Sequence, residues 1–138
     1  MIAGVGLDIV DVRAFASLFG ADAAARARFV AATFTDAEAR YCEREGLGDP
    51  IAHFAVRFAA KEATLKALDC AASSLGLAPA AVAVVDVEVV RDERGRPAIR
   101  LHGAAYDLCA ALEIARLHVS LSHDGGSAAA VVVAERAP

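Results

Sequence analysis

The run Arg57-Phe58-Ala59-Ala60-Lys61-Glu62-Ala63-Thr64-Leu65-Lys66 decides how this chain folds. It follows Asp49-Pro50. Asp is a good N-cap, and Pro is tolerated at the first helical position because its missing N–H has no intrahelical partner there anyway. No Gly or Pro follows until Gly76, so the spacing predicts a helix from Pro50 to about Leu68. At about 100° per residue, Phe54, Phe58, Leu65 and Leu68 form one apolar stripe. Ala52, Ala55, Ala59, Ala60, Ala63 and Ala67 fall largely on the opposite side. A bulky face and an all-small face predict a helix packed on both sides, with another backbone close to the alanines. Lys61 projects from within the Phe/Leu stripe. Glu62 and Lys66 sit on its border, and by spacing alone they are an ordinary i,i+4 ion pair, worth about 0.2–0.5 kcal/mol.

A second carboxylate lies in a costlier place. Ile2 to Val12 reads as a strand that is apolar on both faces apart from Asp8 and Asp11. By the two-residue period, Asp8 shares a face with Gly4 and Gly6. Two glycines leave space for a ligand or another backbone. A desolvated carboxylate is expensive unless it is paired or binds a metal. Gly4-Val5-Gly6-Leu7-Asp8 is not a dinucleotide fingerprint, because the third glycine is missing and no helix opens in the right place.

The 138 residues, 57% hydrophobic and 23% charged, suit a single domain spanning 1–138 with a continuous core. The net charge of −4 and the lack of any basic block argue against nucleic acid as a partner. Cys42, Cys70 and Cys109 are odd in number and far apart, with no CxxC or Cys/His cluster. That excludes a zinc-ligand or disulfide framework and fits a reduced, cytoplasmic setting. The first residues lack a basic region and carry Asp8 in their apolar run, unlike a signal peptide. No apolar run is long enough for a membrane span.

Elsewhere, Arg13 to Val30 reads as two short helices broken at Gly20-Ala21-Asp22. Thr35-Asp36-Ala37-Glu38 is a capping-box signature that starts a helix to about Arg44. Asp69 to Ser74 reads as a small-residue loop, and Leu75 to Ala81 as holding a turn of helix around Pro79. Val82 to Arg91 and Pro97 to Leu101 form a hairpin about Asp92-Glu93-Arg94-Gly95. Gly103 to Ala115 is predicted helical. Leu117 to Ser122 and Ala128 to Glu135 are strands joined by a turn at His123-Asp124-Gly125-Gly126. Strands and helices mix without a βαβ rhythm, so the fold class is α+β, an antiparallel sheet packed on the long central helix.

Four motifs occur in order: Gly-Val-Gly-Leu-Asp-Ile-Val at 4–10, Arg-Phe-Ala-Ala-Lys-Glu-Ala at 57–63 followed by Lys66, Gly95-Arg96-Pro97, and His118-Val-Ser-Leu-Ser-His123. Together, over essentially the full length, the chain resembles the 4′-phosphopantetheinyl transferases of the holo-acyl-carrier-protein synthase type. The resemblance implies transfer of 4′-phosphopantetheine from coenzyme A to a serine of an apo acyl carrier protein, with release of adenosine 3′,5′-bisphosphate. It implies that Asp8 and Glu62 ligate Mg²⁺ and that Lys61 and Lys66 lie near the phosphates. It implies that Arg57, Pro97 and His123 help to hold the nucleotide. Asp8, Glu62 and Lys66 are then the catalytic set, with Lys66 or a metal-bound water as base. Mg²⁺ takes one or two carboxylates with phosphates and water, which fits such a pair. A single-copy length implies a homotrimer with sites between subunits, and the all-small helix face suits close packing.

The chain departs from the family pattern in three places. Asp69 to Ser74 replaces a Gly-rich stretch. Ala14 follows Arg13 where a basic pair often docks the acidic carrier, which leaves Arg13, Arg26 and Arg28 as the candidate docking cations. Asp124 stands where a hydroxyl residue is common. Two alternatives stand beside transfer: a non-catalytic domain that binds carrier or coenzyme A, and a metal-dependent phosphatase, which would need more ligands than the sequence offers.

Overall fold

Gly4 and Gly6 bring a strand against the small face of the central helix. A Cβ on Gly6 would lie 1.8 Å from the Ala63 carbonyl oxygen, and one on Gly4 would lie 2.1 Å from that of Ala67. The close approach predicted at the alanines is therefore to this chain's own first strand, and the small face is not free for a neighbouring subunit. The computed structural model describes residues 1–19, 22–78 and 80–138. The strand, β1, spans Ile2–Asp11 and pairs antiparallel with β5 (Ser127–Arg136), which pairs antiparallel with β4 (Ile114–Asp124). Helix α4 (Pro50–Ser73) packs on one face of this β1-β5-β4 sheet. The α+β class holds, with an antiparallel sheet on a long helix.

Between them run α1 (Val12–Leu18), α2 (Ala23–Thr33) and α3 (Asp36–Cys42). The break predicted at Gly20-Ala21 lies outside the described residues. Asp11 and Asp22 cap α1 and α2, and both halves of the capping box at Thr35 and Glu38 are formed. The helices seat Phe15, Phe19, Phe29 and Phe34 around Phe54 and Phe58, mostly edge-to-face; Phe34 and Phe54 have centroids 4.9 Å apart. Such a pair adds about 0.5–1.5 kcal/mol beyond area burial, which fixes this end of α4.

Three boundaries differ from expectation. Helix α4 continues through Asp69 to Ser73 where a loop was predicted, because Ala71 and Ala72 are buried with Ala3, Leu68 and Leu112. The strand predicted from Val82 begins only at Val87, since Val84–Asp86 forms a 3₁₀ turn. There Asp86 O accepts from His102 N, and the chain passes the start of α5 (Gly103–Ala111). Strands β2 (Val87–Arg91) and β3 (Pro97–Leu101) then make the predicted hairpin as a separate two-stranded sheet. Helix α5 stops four residues early because Glu113 adopts φ 56°, turning the chain into β4. The Pro79 turn lies outside the described residues.

The other face of the three-stranded sheet is open. Val5, Leu7 and Ile9 of β1 are half or more exposed, beside Val131 of β5. The strand predicted to be buried on both sides is thus covered on one. Among the described residues, no helix is long and apolar enough to cross a membrane.

Candidate active site

Asp8 is the next residue on the face of β1 that carries Gly4 and Gly6. Those glycines meet Ala67 and Ala63 in turn, so Asp8 falls beside the turn of α4 that carries Glu62. Lys66 reaches back over this turn, and its Nζ donates to Asp8 Oδ1 at 2.8 Å and to Leu7 O at 3.1 Å. The Asp8 side chain is 16% exposed and that of Lys66 52%. Lys66 therefore pairs with Asp8, and the isolated i,i+4 pair with Glu62 is not what forms. Glu62, Leu65, Lys66 and Asp69 line a cavity of about 240 Å³ together with Val82 and Leu108. Asp69 enters because α4 runs on through it.

The donor chemistry here fits Mg²⁺. Glu62 lines the cavity, Asp8 is held to it through Lys66, and Mg²⁺ takes one or two such hard carboxylates with phosphate oxygens and water in its remaining positions. Among the described residues no group of three or more His, Cys, Asp or Glu converges as a self-sufficient metal cage.

Arg57, Pro97 and His123 also come together, but elsewhere. They line a second cavity of about 240 Å³ with Tyr41, His53 and Arg91. Arg57 and Glu62 are five helical steps apart, a rotation that leaves them about 140° apart on α4. Among the described residues, the two cavities share no lining residue. Arg57 is 6% exposed, its Cζ 4.1 Å from the Tyr41 ring centroid, and its Nη1 donates to His53 O at 3.4 Å. Among the described residues, its buried Nε has no hydrogen-bond partner. Arg91 donates to the Tyr41 hydroxyl and, through Nε, to Gly95 O at 2.8 Å. His53 lies one helical turn before Arg57, a spacing that could have revealed it. Tyr41 and Arg91 carry no local signal.

Lys61 departs from its expected place near the phosphates. Its ammonium has no exposed surface; Nζ donates to Glu38 Oε2 at 2.7 Å and to Val87 O. Glu38 also accepts from Thr35 N at 2.9 Å and Val89 N at 2.8 Å. Burial pushes the Lys61 pKa down, opposed by the Glu38 charge. The residue is an interior tie between α4, α3 and β2. Glu88, beside it, accepts from Thr35 and hydrogen-bonds His102. Burial raises the Glu88 pKa, but the bonds from His102 and Thr35 outweigh it, and its carboxyl lies below the usual range.

Of the three candidate docking cations, Arg26 is engaged, with Glu43 at 3.4 Å and with the Phe19 ring, whereas Arg13 and Arg28 are exposed. His118 lies on β4 and pairs with Glu135 at 2.8 Å. His123 and Asp124 extend that strand, so the turn itself is Gly125-Gly126.

Comparison with known proteins places the chain in a family. Holo-[acyl-carrier-protein] synthase of Geobacter sulfurreducens is 44% identical over 136 residues, 99% of each chain. The solved acyl carrier protein synthase of Mycobacterium tuberculosis superposes with a TM-score of 0.72 at 36% identity, over 99% of this chain and 100% of that one. The holo-(acyl-carrier-protein) synthase of Bacillus anthracis, solved in complex with coenzyme A (3′,5′-ADP), gives 0.68 at 27% identity over 99% of each. Residues 4–132 match the family model described as the 4′-phosphopantetheinyl transferase superfamily, and this chain belongs to that superfamily.

Proposed function

We propose that the protein transfers 4′-phosphopantetheine from coenzyme A to a serine hydroxyl of an apo acyl carrier protein, releasing adenosine 3′,5′-bisphosphate. The observation that carries this reading is the Asp8–Lys66 pair, whose Lys66 lines one cavity with Glu62, in a chain of this superfamily. Asp8 and Glu62 would hold Mg²⁺, which when bound neutralises charge on the diphosphate. Lys66 Nζ is a half-exposed cation that would stabilise charge as it develops on the leaving phosphate. While it donates to Asp8 and Leu7 O it has no lone pair to accept a proton. A water oriented by Asp8 or Glu62 therefore takes the serine proton. Arg57, Pro97 and His123 bind the nucleotide; Lys61 supports them from the interior.

The two half-sites of one chain face different cavities, and a second copy would join the first half-site of one subunit to the second of its neighbour. The apolar sheet face at Val5, Leu7, Ile9 and Val131 supports such assembly, as a homotrimer. The free cysteines accord with a cytoplasmic setting. Mass spectrometry of apo carriers incubated with coenzyme A and Mg²⁺ tests the activity, and a panel of fatty-acid and secondary-metabolic carriers identifies the acceptor. Binding without a mass change would assign a non-catalytic domain, and hydrolysis of coenzyme A alone a phosphatase.

A further inference from the structure

The β2–β3 hairpin is a sheet of its own, and a lone two-stranded hairpin is marginal in water. Side-chain ties therefore decide where it sits. Lys61 and Glu38 hold β2 through Val87 O and Val89 N. Glu88, the residue between those two, gathers three further elements. It accepts from the Thr35 hydroxyl at the start of α3 at 3.1 Å, hydrogen-bonds His102 Nε2 at 2.8 Å, and lies 3.7 Å from Arg100 Nη1 of β3. His102 stands between β3 and α5, and its backbone N–H donates to Asp86 O at 2.8 Å. One residue thus ties the 3₁₀ turn at Val84–Asp86, the base of the hairpin and the first turn of α5. Glu88 is 6% exposed, and Lys61 is already paired with Glu38. Its compensation must come from Arg100 and His102. Arg100 is the more distant and is well exposed, so solvent screens it. His102 is close, but it brings a charge only when protonated. Asp86 adds another anion nearby: its Oδ2 lies 2.9 Å from where a Cβ on Gly103 would stand.

We propose that Glu88 and His102 form a protonation-sensitive clasp on α5, and that His102 is a positioning residue for the first cavity. Val82, just before the 3₁₀ turn, and Leu108 of α5 line that cavity with Glu62 and Lys66. Among the described residues, neither Glu88 nor His102 lines either cavity. The clasp acts by fixing where Val82 and Leu108 stand. Its effect on coenzyme A rests on the reading above; the clasp itself does not. Burial raises the Glu88 pKa, but the bonds from His102 and Thr35 hold the carboxyl below its usual range, so it is ionised at neutral pH. Imidazoles lose their proton between about pH 5 and 8. A histidine that gains an anionic partner on folding contributes stability below its titration, and that contribution is lost as pH rises through it. The clasp is therefore firmest in mildly acidic solution and loosens toward alkaline pH.

Hydrogen exchange of the ligand-free full chain reads the clasp directly. With rates corrected for their intrinsic pH dependence, His102→Leu should speed exchange in residues 82–86 and in the first turn of α5 about tenfold over wild type at pH 6, and about twofold at pH 8.5, with β1 and β5 unchanged. His102→Gln keeps a donor without a charge and should show the same trend with a smaller effect. The ratio of its KM for coenzyme A to that of wild type should be about threefold at pH 6 and fall to parity at pH 8.5, with kcat little changed. Equal exchange in wild type and variant at pH 6, or a difference that does not shrink with pH, overturns the clasp. Should His102→Leu not fold, exchange in His102→Gln decides by the same criterion. Exchange as expected with KM at parity at both pH values overturns the positioning role. If wild type modifies no carrier, the transferase reading fails by itself, and exchange still decides the clasp.

Discussion

Replacing Lys61 by Met removes the ammonium but keeps most of the side-chain length. The Glu38 carboxylate would then keep its bonds from Thr35 N and Val89 N while losing its only salt-bridge partner in the described structure. Removing one member of a fully buried pair costs about 3–5 kcal/mol, because the other charge is left uncompensated. Against a total stability of about 5–15 kcal/mol this is severe, and for a chain of this length it corresponds to a fall in Tm of about 10–20 °C. The reverse partner change supplies the control. Adding Glu38→Gln to Lys61→Met removes the stranded charge and should recover more than half of the loss. Thermal melts of the four proteins at one concentration give the double-mutant cycle. A Lys61→Met enzyme that melts within a degree or two of wild type, yet binds coenzyme A poorly, would refute the structural reading and return Lys61 to the phosphates.

Glu62→Gln should lose transfer that added Mg²⁺ only partly restores; wild-type turnover in excess chelator would remove the metal from the proposal. Asp8→Asn should cost the apo protein about 0–1 kcal/mol, since it weakens a half-exposed pair with Lys66. Coenzyme A with Mg²⁺ at about 100 times the dissociation constant should stabilise wild type by about 2.7 kcal/mol per site and the variant far less, as read by melting temperature. Val131→Lys places a charge on the open sheet face, which a lone chain tolerates within about 0.5 kcal/mol; light scattering should show a fall from the trimer toward the 14.2 kDa chain, and a wild type that is active at that monomer mass contradicts the assembly. With a thiol reagent at pH 8, Cys70 should react first, Cys109 more slowly because burial raises its pKa, and Cys42 only on unfolding. The Cys42 pKa is raised from 9.0 to about 11, so its contribution to stability is complete below pH 9 and lost as pH rises through about 11; rapid labelling of Cys42 in the folded protein at pH 8 contradicts its burial.

What was legible in the sequence was local or periodic. The Asp49 cap, the capping box at Thr35, the hairpin turn before Gly95 and the small face of α4 each rest on residues close in the chain, and each is present. The stops that failed depend on tertiary contacts. Asp69 to Ser73 is helical because Ala71 and Ala72 find a buried seat, and α5 ends at a glutamate with left-handed backbone, which no propensity marks as a stop. The small face suggested a partner subunit, but β1 occupies it.

The central motif shows why site residues are harder to read than the elements that carry them. Arg57, Lys61, Glu62 and Lys66 are nearly contiguous in sequence, yet a helix turns them into two pairs. Arg57 and Lys61 face α3, while Glu62 and Lys66 flank β1 and the first cavity. Within the first pair the partner decides the role. Opposite Glu38, Lys61 is paired and interior; Arg57 instead stacks against the uncharged Tyr41 ring. Both partners lie on α3, 16 to 23 residues upstream, at positions where neither spacing nor composition distinguishes a carboxylate that closes a pair from a tyrosine that leaves one open.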